Sequence, residues 1–242
     1  MLEFFGETAR FVHVGFGAVG LAAFWIPVFV RKGGRLHVRA GKVFVWSAYV
    51  VLATAAIALT IRLAVMATAG TGPADAPGVY AFLVFLGYLT YVTFVIVRHG
   101  MNVLRHKRDL SRLKTPLNRA LAIGSIAASL FIVGYALIFS PPLSVLLFAL
   151  SPIGVLTGGG MLRYMGGAES SPRGWMYEHL GAMLGAGIAF HTAFAVFGAT
   201  RLFDIGLSGW VAVIPWIAPT LVGVPATIVW TRYYRRKFGE LA

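Results

Sequence analysis

Apolar residues in this chain neither alternate with polar ones nor stripe a single helical face. They run together in blocks of about twenty, set apart by short polar stretches. A helix crossing about 30 Å of hydrocarbon at about 1.5 Å per residue needs about 20 largely apolar residues. Seven blocks meet that length, at about 11–30, 43–68, 79–97, 117–139, 143–162, 179–203 and 210–230. The pattern predicts an all-α integral membrane protein, a single domain over 1–242 built as a bundle of about seven transmembrane helices.

The polar stretches test that count. The first connection is densely basic, with Arg31, Lys32, Arg35, Arg39 and Lys42, and so are the third (Arg105 to Lys114) and the tail (Arg232 to Lys237). The alternate connections are nearly bare of cations: 69–78 and 140–142 carry none, and 201–208 carries only Arg201. Lys and Arg accumulate on the cytoplasmic side of membrane proteins, so the split predicts an outside N-terminus and a cytoplasmic C-terminus. Trp25, Trp46, Trp175 and Trp230 then fall at the cytoplasmic interface and Trp210 at the outer one, while Trp216 sits deeper and is expected to pack. The first block follows Glu3, Glu7 and Arg10 and precedes its cations, the reverse of a signal peptide, and is expected to stay as a helix.

Composition agrees. Hydrophobic residues make up 58% of the chain and charged ones 12%, with mean hydropathy +0.79. A soluble domain carries about 25% charge, so too little polar material remains to cover a water-facing surface. A net charge of +13 would suggest nucleic acid on a soluble domain. Here the cations sit between apolar blocks, so the expected partners are anionic headgroups at the basic loops, and other membrane subunits. The absence of cysteine excludes disulfides, thiol relays and thiolate-held clusters. Met101, Leu104, Leu110 and Leu113 recur at helical spacing among the cations of the third connection, as in a surface helix; a solvated basic loop reads the same.

Six histidines carry the candidate chemistry, two toward the outer face and four toward the inner. His13 and His191 lie within outer halves of the first and sixth blocks, each with glycines close by. A neutral imidazole in lipid needs a hydrogen-bond partner or a metal. Opposed imidazoles between helices are how a b-type haem is held, and Arg62 in the second block would face its propionates. Hydrogen bonds to neighbouring helices explain the same residues, and a depth offset of about 9 Å between the two histidines opposes one shared iron. On the inner side, His37, His99 and His179, with Glu178 adjacent, would bind a transition metal if they converged, or cap helix ends if they did not.

Absences narrow the classes. No Asp or Glu lies mid-block, whereas coupled transporters place a carboxylate there, and the last block has no lysine for a Schiff base. Gly158-Gly159-Gly160 is expected to fray or break the fifth helix rather than cradle phosphate. Tyr88 and Tyr91, with Thr90 and Thr93, give the third block a polar face expected to turn inward.

His13 before a Gly-rich block, Lys32-Gly33-Gly34-Arg35-Leu36-His37 with Gly41 opening the next, Trp175-Met176-Tyr177-Glu178-His179, and His191-Thr192-Ala193-Phe194 together resemble a family of bacterial polytopic membrane proteins catalogued only as a domain of unknown function. Members often carry Arg after the loop histidine, where Val38 stands here. The resemblance alone implies a bacterial cytoplasmic membrane as the location, and it implies no reaction. It points to His13, His37, His179 and His191 as positions to test. Three classes remain: a redox or electron-transfer protein binding haem, metal or quinone; a non-enzymatic subunit or assembly factor; and a transporter of a small uncharged or anionic molecule.

Overall fold

The computed structural model describes residues 2–141, 144–167, 171–204 and 209–241; the side chain of Trp210 lies outside what is described. Among the described residues all regular structure is helical. In order come α1 (Leu2–Phe29), α2 (Arg35–Thr68), α3 (Pro77–Arg105), a 3-10 turn (Leu110–Leu113), α4 (Pro116–Phe139), α5 (Ser144–Leu150) and α6 (Pro152–Met165). There follow α7 (Gly174–Ala193), a π segment (Phe194–Ala199), α8 (Thr200–Leu202), a second 3-10 turn (Gly209–Val213) and α9 (Ile214–Lys237). Seven helical stretches are long and apolar enough to cross a membrane, and each covers one of the apolar blocks.

The boundaries depart from hydropathy at the basic ends. α2 starts at Arg35 and α3 runs on to Arg105, so both continue where the apolar pattern has stopped. Backbone hydrogen bonding does not need apolar side chains, and Arg105 in the last turn of α3 complements the helix dipole. Met101 and Leu104 therefore belong to α3, and Leu110–Leu113 is a single 3-10 turn whose N-cap Asp109 accepts from the Ser111 backbone N–H. Of the two readings of this connection, the separate surface helix is not formed.

The glycine run does not break its helix either. Gly158, Gly159 and Gly160 lie inside α6, and the interruption comes earlier, at Ser151 before Pro152. Gly154 and Gly158, one turn apart, are buried. A Cβ on Gly158 would collide with the Ala122 carbonyl oxygen of α4. Two backbones thus meet at a small-residue position, as in membrane helix pairs generally.

Contacts group the chain into two compact units. One comprises Met1–Phe94 and Ala127–Ile153, the other Val95–Ile126 and Gly154–Ala242.

In the first unit, α1 and α2 pack along each other through a short turn. Gly33 adopts a positive φ of 76° there. Lys32 Nζ donates to the carbonyls of Pro27 and Val28, each at 2.7 Å, and His37 Nδ1 donates to the Pro27 carbonyl at 3.3 Å. The Lys-Gly-Gly-x-x-His segment is therefore a helix-to-helix turn that satisfies orphan carbonyls at the end of α1. Burial pushes the Lys32 ammonium below its ordinary pKa. Tyr88 is buried, and its hydroxyl lies 3.1 Å from the Leu150 carbonyl, 2.9 Å from that of Ser151 and 3.2 Å from Ser129 Oγ. It serves the carbonyls exposed by the α5–α6 interruption, so the polar face of α3 does turn inward at this residue.

In the second unit, α7 packs against α9, with Gly223 beneath Ile188. Trp216 is buried and meets Phe197 edge-on at 5.6 Å, as its depth predicts. The end of α3 is tied to the start of α4 by Arg98, which donates to Asn118 Oδ1 at 2.6 Å, while Asn118 Nδ2 donates to the Leu113 carbonyl.

Candidate functional site

A stretch of α3 and the first turns of α7 face each other within the second unit, and glycines set their distance. A Cβ on Gly100 would stand 2.6 Å from Met183 Cε and 2.8 Å from Ala182 Cβ; one on Gly185 would stand 2.8 Å from Ile96 Cδ1. Such spacing lets polar side chains reach across. His99 Nε2 lies 2.7 Å from Glu178 Oε1, and His179 Nδ1 donates back to the Gly100 carbonyl at 3.0 Å. The two helices exchange one bond in each direction.

The His99 side chain is 5% exposed and that of Glu178 27%. A carboxylate in contact with a nearly buried imidazole fixes which ring nitrogen carries the proton and orients the ring. Nε2 is the donor here, assigned from the network. The Tyr164 ring meets the imidazole edge-on at 6.1 Å. Among the described residues no hydrogen bond engages Nδ1, and no buried side-chain nitrogen or oxygen is left without a partner. Nδ1 is thus the atom available to a ligand.

A cavity of about 140 Å³ opens beside the pair. Its polar lining side chains are His99, Glu178 and Thr157, and Ile96, Leu156 and Met161 are among its apolar ones. Thr157, Gly160, Met161 and Tyr164 recur at i, i+3, i+4 and i+7 of α6, which puts them on one helical face. That recurrence was present in the sequence as a signal for this third wall. The glycine run drew attention to helix breakage instead.

The other candidates go elsewhere. Thr54 donates to the carbonyls of Val50 and Val51, so its oxygen accepts from His13 Nδ1 at 3.0 Å. His191 Nδ1 donates to the Gly187 carbonyl one turn back on its own helix, at 2.7 Å. Arg62 is exposed. His37 belongs to the turn after α1. Of the inner set, His99 and Glu178 are brought together, and His179 is adjacent but turned to a backbone carbonyl. Among the described residues no three of His, Asp and Glu gather to hold a metal ion. A hydrogen-bonded imidazole–carboxylate pair next to a small, mostly apolar cavity is what the geometry offers chemically.

No family model, no curated protein and no solved structure matches this chain.

Proposed function

We propose that this is a redox-linked multi-pass membrane protein that binds a small ligand beside the His99–Glu178 pair and exchanges a proton with it. The observation that carries the reading is the 2.7 Å contact between a nearly buried imidazole and a carboxylate at the wall of a cavity. In a low-dielectric site such a pair moves a proton between its members and a bound group with little reorganisation. Reduction of an organic ligand inside a bilayer must be balanced by proton uptake. The lack of a carboxylate in mid-span keeps the coupled-transport class behind.

The charge split between connections supports placing the N-terminus outside and the basic loops and tail in the cytoplasm. The pair lies at the end of α3 that leads into the basic third connection, the cytoplasmic side in this orientation, with anionic headgroups around the loops as the proposed bilayer partner. The likeness to the bacterial family supports a bacterial inner membrane.

The test is extraction. Protein purified from its native membrane and treated with organic solvent should release a stoichiometric redox-active molecule, identified by mass and by its oxidised-minus-reduced absorbance. His99→Leu should lose it. Wild-type protein that yields none would remove the reading.

A further inference from the structure

Where the cavity opens says how a ligand gets in. Leu156 lines it and is 72% exposed, and Gly160, one turn on, lines it and is exposed too. Both belong to the apolar span Ser144–Met165. In such a span an exposed position faces hydrocarbon. Leu156 stands nine residues and Gly160 five residues before the end of α6, or about 14 and 8 Å at the helical rise. The mouth is therefore below the headgroups. A ligand using it arrives dissolved in the bilayer.

The interior says what part of that ligand enters. An apolar cavity of about 150 Å³ accommodates one benzene ring, so about 140 Å³ open on one side has room for a six-membered ring whose substituents extend through the mouth. Gly181 on α7 and Gly160 on α6 present bare backbone to the space, and a Cβ on either would meet nothing within 4 Å. A flat group can thus lie against both helices. The polar side chains lining the space are His99, Glu178 and Thr157, and the other lining side chains are apolar. One flat ring, one hydrogen-bonding edge and access through hydrocarbon describe a narrow chemical class.

We infer that the cleft binds the ring of a quinone-class lipid, its hydroxyl in the reduced form donating to His99 Nδ1 and its tail leaving past Leu156 into the bilayer. This deepens the proton-exchange reading and rests on it. Gly181 and Gly160 set specificity here: they admit the ring by carrying no side chain.

Decylubiquinone is the probe, titrated into the protein in nanodiscs and followed by quenching of tryptophan fluorescence. Saturable binding is expected for wild type, weakened about tenfold or more in Gly181→Leu, whose side chain fills the space the ring needs. Melting temperature should stay near wild type, since a Cβ at this position meets nothing within 4 Å. Should Gly181→Leu not yield folded protein, Gly160→Leu serves, at an exposed position with the same room. Quenching that is non-saturable, or unchanged in the leucine variants, reports partition into lipid and overturns the inference. If a redox-active molecule without a quinone ring is still extracted from wild type, the ring assignment alone falls. If nothing is extracted and nothing saturates, the proton-exchange reading falls with it.

Discussion

Gly158 and Gly159 stand side by side on α6, and one methyl group separates their roles. At Gly158 a Cβ would run into the Ala122 carbonyl oxygen and sit 2.9 Å from Ile126 Cγ1; at Gly159 it would meet nothing within 4 Å. Backbone cannot yield as a side-chain tip can, so Gly158→Ala should cost about 1–3 kcal/mol, the range for overpacking. Gly159→Ala exchanges a flexible helical glycine for the best helix former and should be neutral or slightly stabilising. In a chain of this size 1 kcal/mol moves the melting temperature by about 2–4 °C. Thermal unfolding in detergent should therefore show a drop of several degrees for Gly158→Ala and none for Gly159→Ala; equal shifts would deny the backbone contact. Sequence alone shows three identical letters here, because only the neighbouring helix distinguishes them.

Among elements, the end of α9 is the most specified by local rules. Gly239 has a positive φ of 69°, its N–H bonds the Arg236 carbonyl, and the Glu240 N–H bonds that of Arg235. This is a Schellman cap, and it aims Glu240 back at the start of α7. There the carboxylate accepts from the Tyr177 hydroxyl at 2.5 Å, Ser171 Oγ at 2.7 Å and Arg173 at 3.1 Å. The Tyr177 hydrogen bond, then those of Ser171 and Arg173, hold the Glu240 carboxyl below its ordinary pKa. A depressed folded pKa means the clasp contributes fully above the ordinary glutamate value of about 4.3 and is lost as pH falls through the lower folded value. Amide exchange of residues 171–177 should stay slow from neutral pH down to about 4.3 and rise below it, once corrected for intrinsic rates. Glu240→Gln should exchange fast throughout. Protection that ignores both pH and Glu240→Gln would show that the clasp holds nothing.

Across the whole molecule, the seven spans were legible because hydrocarbon imposes a length that composition reveals directly. Their extension at the basic ends was not, since helical hydrogen bonds begin before the apolar block of α2 and persist past that of α3. Of the site, His99 and Glu178 stood out as polar groups at the edges of apolar blocks. Their pairing was hidden because it depends on Gly100 and Gly185 letting α3 approach α7. The cavity wall on α6 shows as the recurrence of Thr157, Gly160, Met161 and Tyr164, but nothing in that spacing says which helices the face meets. His37 stood out as strongly as His99, yet it completes a turn with Lys32. A histidine in an apolar chain marks a need for a partner, and only packing decides whether that partner is a backbone carbonyl or a carboxylate.

The most direct test of the account is proton uptake during reduction of the bound ligand. Vesicles with the basic tail facing outward would carry a pH-sensitive dye outside, and the co-purified ligand would be reduced chemically. Wild-type protein should draw protons from the tail side, and Glu178→Gln, with its ligand still bound, should do so at least about tenfold more slowly, within the range removal of one acid–base group produces. Uptake from the opposite side, or at an unchanged rate in Glu178→Gln, would contradict it.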